Sequence, residues 1–173
     1  TIATIIDLAA MNLGLHVKQA EVHGMSQRGG AVESHLRISD SEIFSDLIPR
    51  GKADIILSIE PMEALRYLPF LSPNGIIITA VEAFKNIAQY PEEKQIFDTI
   101  KSSAKYILID ATELAKAVGS NKTFNVVMLG AAAPYLGISQ DELEKAISQY
   151  FVSKGQSVVD MNLTAFKKGL ENK

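Results

Sequence analysis

Three short runs of apolar, largely β-branched residues set the architecture: 54–59 (DIILSI), 76–80 (IIITA) and 106–109 (YILI). None alternates strictly between polar and apolar positions, so each reads as a strand covered on both faces. Helical spacing follows or separates them at 61–68, 92–104 and 112–118. A chain that alternates buried strands with helices predicts an α/β sandwich with a mostly parallel sheet.

The flanking regions extend that pattern. Residues 2–13 have helical spacing through Ile2, Ile5, Ile6, Ala9 and Leu13, with Gly14 as a stop. Residues 15–22 read as a strand. Residues 31–38 alternate, with Val32, Ser34, Leu36 and Ile38 on one face and Glu33, His35 and Arg37 on the other. That period of two predicts a half-exposed antiparallel strand with His35 facing solvent or an interface. Residues 40–51 read as a loop with one helical turn, and 72–75 (SPNG) as a turn. Segments 123–136, 140–152 and 157–169 form a helical C-terminal third. The expectation is one Rossmann-like α/β domain over 1–173, with a mostly parallel sheet and one antiparallel strand.

Charge and cysteine usage narrow the function classes. With 20 acidic and 17 basic residues the net charge is −3, which argues against a nucleic-acid or anionic-membrane surface. No apolar run reaches the ~20 residues of a membrane-spanning helix. Cysteine is absent, so this chain offers no thiolate nucleophile, no disulfide and no cysteine ligand for an iron–sulfur cluster. Any cluster serving it must sit on another polypeptide. The lack of cysteine fits a reducing cytoplasm. His16, His23 and His35 show none of the spacings of a zinc site.

Chemistry concentrates in EVHGMSQRGGAVESHLRIS, residues 21–39. Ser26, Gln27, Arg28, Gly29 and Gly30 combine a hydroxyl, an amide and a guanidinium with backbone that a ligand can approach closely. They suit a phosphate cradle, and equally a polar hairpin in which Arg28 pairs with a carboxylate; a subunit contact is a third use. His23 at the loop entrance could meet an anion. Glu60 and Asp110 each close a predicted strand, where open α/β sheets bind ligands. Capping is the favoured reading for both. Pro61 suits a first helical position, and Asp110-Ala111-Thr112-Glu113 has the form of a capping box. Arg66 is spaced to pair with Glu63. FNVVMLGAAAPYL (124–136) is apolar nearly all round, hence core or subunit interface, with core favoured.

Taken in order, EVHGMSQRGGAVESHLRIS, ADIILSIEPMEALRYLPFL, DATELAKAVG, NVVMLGAAA and NLTAFKKG resemble the gamma-type subunit or domain of 2-oxoacid:ferredoxin oxidoreductases, and within them the small subunit of indolepyruvate:ferredoxin oxidoreductase. The resemblance spans essentially the whole chain. It implies an accessory subunit of an enzyme that oxidatively decarboxylates an aryl pyruvate such as indolepyruvate, forms acyl-coenzyme A and reduces ferredoxin. Thiamine diphosphate and iron–sulfur clusters are then expected on a large catalytic partner. The assembly expected is a hetero-oligomer, with a homodimer as the alternative for the isolated chain. By position, Ser26, Gln27, Arg28, Gly29 and Gly30 become the coenzyme A contacts; Gln27-Arg28 stands where pyruvate enzymes carry lysines. The resemblance also implies an apolar strand and a GxGGQG-T loop before the first helix, with Thr1 as its threonine and roughly ten residues preceding it. Two rival readings remain: a purely structural docking subunit, and a free-standing nucleotide-dependent oxidoreductase. The second lacks an acidic ribose ligand and a complete glycine fingerprint.

Overall fold

The computed structural model describes residues 1–23, 32–85 and 89–172. Helix α1 (Ile2–Asn12) leads into β1 (His16–His23) and β2 (Val32–Ser39). Then come β3 (Ala53–Ser58), α2 (Pro61–Arg66), a 3-10 turn (Leu68–Phe70), β4 (Leu71–Ala80), α3 (Glu93–Ser103), β5 (Lys105–Ile109) and α4 (Ala111–Val118). Helices α5 (Phe124–Ala132), α6 (Gln140–Phe151) and α7 (Gln156–Glu171) supply the helical C-terminal third.

Strands β3, β4 and β5 are parallel in that spatial order, with β4 central. Consecutive side chains of a strand point to opposite faces, and β4 uses both. Ile76 and Ile78 enter the larger core, which holds Ile5, Ile6, Val127, Leu129 and Phe166 from α1, α5 and α7. Ile77 enters a smaller core on the opposite face with Ile56, Ala64, Ile96 and Ile100 from β3, α2 and α3. Helices therefore cover both faces, the α/β sandwich that the runs of isoleucine predict. No helix among the described residues is long and apolar enough to cross a membrane.

The expected antiparallel strand is present and pairs with its neighbour in the chain. Among the described strands, β2 pairs with β1 in its own two-stranded sheet, in register from His16↔Ser39 to His23↔Val32. Val17, Leu36 and Ile38 on one face of this ribbon pack against the larger core. The opposite face is covered too, which corrects the placing of His35 in solvent. His35 is 8% exposed. Its Nδ1 accepts a hydrogen bond from Ile48 N at 3.1 Å, and its ring meets Phe70 edge-on at 5.5 Å. The cover is segment 40–51, held by Arg37 Nη1 donating to Ser45 O at 2.8 Å and by Lys18–Asp46 at 3.5 Å. That segment contains bends and a turn but no helical turn. A strand's polar face predicts exposure only when no later segment folds over it.

Residues 72–75 also depart from the sequence reading. They lie inside β4, where the register jumps from Ala53↔Leu71 to Ile55↔Ile76. A Cβ on Gly75 would stand 2.9 Å from the Ala53 carbonyl oxygen, so the residue must be glycine for the strands to meet there.

Helix α5 resolves in favour of the core. Every residue from Val126 to Ala132 is buried. Its backbone touches that of α7: a Cβ on Gly130 would lie 2.1 Å from Phe166 O, and one on Gly169 only 1.9 Å from Val127 O. Small residues let these two helices approach to backbone contact. On α1, Asp7 is half-buried and its Oδ1 is shielded from water without a hydrogen-bond partner. Burial raises its pKa above the ordinary value of 3.8.

Gly169→Ala is expected to destabilise the fold by about 3 kcal/mol, because backbone must move to admit a methyl group. The shift in denaturant midpoint measures it, and a loss under ~0.5 kcal/mol would contradict the helix contact. For Asp7 the folded state retains its proton to higher pH than the unfolded chain, so stability falls as pH rises above the unfolded value. Asp7→Asn should therefore raise the melting temperature at pH 7, by the equivalent of roughly 0.5 kcal/mol for a half-exposed group. The gain should vanish near pH 3, where both states are protonated.

Candidate functional site

The glycine-rich segment bridges the paired ends of β1 and β2, where His23 lies opposite Val32. Ser26, Gln27, Arg28, Gly29 and Gly30 lie outside the described residues, as does the side chain of His23. The base of the ribbon is described. Burial, with the Glu33 carboxylate next to Val32 close by, raises the Tyr67 pKa above the ordinary tyrosine value. Tyr67 also packs against Phe70, which in turn meets His35. The ribbon is thereby tied to the end of α2.

The start of α2 lies at the carboxyl edge of the parallel sheet, and Glu60 governs it. The chain is extended at Glu60 (φ −147°, ψ 128°), and its Oε2 accepts from Glu63 N at 2.8 Å as the helix cap. Pro61 occupies the first turn, where a missing N–H is harmless. These features follow the sequence reading. Two further partners do not. Glu60 Oε1 accepts from Phe84 N at 3.4 Å and from the Tyr90 hydroxyl. Ser58 Oγ donates to Glu60 O at 2.6 Å, closing the turn between β3 and α2. The Glu60 carboxylate is 8% exposed, yet both oxygens are satisfied. Burial, with the adjacent Glu60 carboxylate accepting its proton, pushes the Tyr90 pKa well above the ordinary tyrosine range. Tyr90 is a hydrogen-bond donor at any physiological pH.

Asp110 plays the matching part after β5. Its Oδ1 accepts from Glu113 N at 3.0 Å at the start of α4. The reciprocal half of the expected capping box is replaced: Glu113 pairs with Lys116 Nζ at 2.7 Å. Arg66 and Glu63 form the expected pair, at 3.1 Å. Between these two caps, segment 81–85 leaves β4. Val81 N donates to Ile109 O at 3.0 Å, and Glu82 accepts from the Thr112 hydroxyl. Glu60, Glu82 and Asp110 are thus acceptors committed to holding backbone and hydroxyl groups, which favours scaffolding over proton transfer. Glu82, Phe84, Thr112 and Tyr90 were not evident from the sequence. The Tyr90–Glu60 and Thr112–Glu82 contacts each span 30 residues, and no periodicity encodes such a pair.

Asp110→Ala should cost about 1 kcal/mol, the worth of one helix cap. Glu60→Ala should cost about 3 kcal/mol, because it also strands the Tyr90 hydroxyl and Phe84 N. Equal losses in urea unfolding would show that the additional partners of Glu60 contribute nothing.

Comparison with known proteins agrees with this architecture. The chain matches the family described as pyruvate ferredoxin/flavodoxin oxidoreductase over residues 1–172. It is 39% identical to the indolepyruvate oxidoreductase subunit IorB of Archaeoglobus fulgidus, across 98% of this chain and 86% of that protein. The fold is similar to the gamma subunit of a keto/oxoacid ferredoxin oxidoreductase from Geobacter sulfurreducens, at TM-score 0.68 and 22% identity over 99% of this chain and 89% of that one. It is similar also to a 2-oxoglutarate:ferredoxin oxidoreductase from Magnetococcus marinus with 2-oxoglutarate, coenzyme A and succinyl-CoA bound, at TM-score 0.74 and 22% identity over 98% of this chain and 27% of that one. With a match of this extent and a relative at this identity, the chain belongs to the pyruvate ferredoxin/flavodoxin oxidoreductase family.

Proposed function

We propose that this chain is the accessory subunit of a 2-oxoacid:ferredoxin oxidoreductase acting on an aryl pyruvate such as indolepyruvate, with residues 1–173 acting as one gamma-type domain. The family match over residues 1–172 carries this reading. The indolepyruvate oxidoreductase subunit, 39% identical, supports the substrate class. In such a reaction the carboxyl group leaves as carbon dioxide, two electrons pass one at a time to ferredoxin, and the acyl group forms a thioester with coenzyme A as its thiol proton is released. With no cysteine in the chain, the clusters belong to a large partner subunit, which also holds thiamine diphosphate. The working assembly is a hetero-oligomer in the cytoplasm.

Coenzyme A is the ligand proposed for this subunit itself. Ser26, Gln27, Arg28, Gly29 and Gly30 offer donors that suit its phosphates, Arg28 as a planar fork. The Magnetococcus marinus enzyme of similar fold, described with coenzyme A bound, supports that choice. Thiamine diphosphate and the clusters would supply carbanion stabilisation and electron transfer on the partner. This chain's part is to bind and orient the acceptor.

Co-expression with a large thiamine- and cluster-bearing subunit should give a complex that reduces viologen dye in the presence of an aryl pyruvate. A stable complex without 2-oxoacid-dependent reduction would overturn the assignment. By calorimetry on that complex, Arg28→Ala should weaken coenzyme A binding about tenfold, the worth of one charge-assisted phosphate contact. Unchanged affinity with unchanged assembly would leave the segment a docking hairpin.

A further inference from the structure

The carboxyl edge of the parallel sheet holds an arrangement that helix capping does not require. A cap needs one N–H on one oxygen, and Glu60 Oε2 supplies that to Glu63 N at 2.8 Å. Its Oε1 serves Phe84 N at 3.4 Å and Tyr90 Oη instead. From the other side, Glu82 accepts from the Thr112 hydroxyl, while Val81 N reaches Ile109 O at 3.0 Å. Lys85 pairs with Glu93 at 2.7 Å, so the segment is tied to α3 as well. Segment 81–85 is held from β3–α2, from β5–α4 and from α3.

The side chain it carries is left in water. Phe84 is 74% exposed, and Ile59, adjoining Glu60, is 57% exposed. Fixing the backbone of a residue has an entropic cost, and burying its ring would normally offset it. Here the backbone is fixed and the ring is not buried. An exposed aromatic ring on a fixed backbone at the carboxyl edge of an open α/β sheet lies where such folds take nucleotides. A flat, sequence-tolerant ring suits the face of a base, which stacks on it.

We propose that Phe84 receives the adenine ring of the acyl-acceptor thiol nucleotide, and that Glu60 and Tyr90 are positioning residues that fix the backbone of Phe84 for it. The proposal rests on the reading of coenzyme A as this subunit's ligand. Glu60 acts through the backbone N–H of Phe84 and Tyr90 through Glu60. Neither touches the reacting atoms.

The test uses the complex of this chain with its large catalytic partner, with rates of 2-oxoacid-dependent viologen reduction measured against coenzyme A concentration. Phe84→Ala changes an exposed side chain and should raise the KM for coenzyme A about tenfold, with kcat and the KM for the 2-oxoacid within about twofold. Tyr90→Phe keeps the helix cap and removes one hydroxyl; it should raise the same KM about fivefold without altering assembly by size exclusion. A control at the exposed Lys116, Lys116→Ala, should change none of these. Unchanged coenzyme A KM in both variants overturns the proposal. So does a uniform fall in all parameters or loss of the complex, which would mark a structural or docking role. A wild-type complex whose rate and product do not depend on coenzyme A overturns the ligand reading itself, and that result is read before any substitution.

Discussion

Ile76, Ile77 and Ile78 occupy consecutive positions of β4, and none keeps appreciable contact with water. Because consecutive strand residues point to opposite faces, such a triplet forces both faces of the sheet to be covered. Each buried isoleucine is worth ~1.5–3 kcal/mol, so the demand outweighs any single hydrogen bond in the molecule. The chain meets it with α2 and α3 on one face and α1, α5 and α7 on the other. Close contact of α5 with α7 at Gly130 and Gly169 compacts the second layer. The positions of the connecting turns follow from this layering, since each parallel crossover must leave the sheet at its carboxyl edge.

That edge is where the carboxylates acquire their partners. Glu60 and Asp110 both start helices, but their surroundings differ. Asp110 is exposed and serves one N–H. Glu60 is enclosed by the segment that leaves β4 and by Tyr90, and its two oxygens are divided between its own helix and that segment. A buried carboxylate is tolerated when donors replace the water it loses, and here two backbone N–H groups and a phenol do so. The same exchange explains Tyr90: a phenol that shares its proton with a buried carboxylate resists ionisation.

The sequence exposes whatever has a short period or a local spacing. The isoleucine runs, the helix stops, Pro61 after Glu60, and the Glu63–Arg66 pair were all legible because neighbours along the chain are also neighbours in space. His35 was misread because alternation reports only which side of a strand a residue occupies, and segment 40–51 later covers that side. Residues 72–75 were misread because Pro73, Asn74 and Gly75 signal a turn whether or not a strand continues through it. The Tyr90–Glu60 and Thr112–Glu82 pairs were illegible because tertiary structure alone brings together residues so far apart. The sheet edge was legible as two caps, but not as a fixed segment between those caps, and the chemistry read at Ser26–Gly30 lies outside the described residues.

Apolar packing and polar clamping constrain a segment in different ways. Dispersion and burial depend on area, so an apolar contact can slide by a fraction of an ångström with little change in energy. A hydrogen bond to a carboxylate depends on distance and angle and weakens steeply when either departs from its optimum. Segment 81–85 carries no residue of either buried core at positions 82–85, and is held instead by Glu60, by Thr112 through Glu82, and by Glu93 through Lys85. Burial alone would have turned Phe84 inward. Polar restraint fixes the main chain while leaving the side chain free to meet something outside the chain, a division suited to a subunit that presents a ligand to chemistry carried elsewhere.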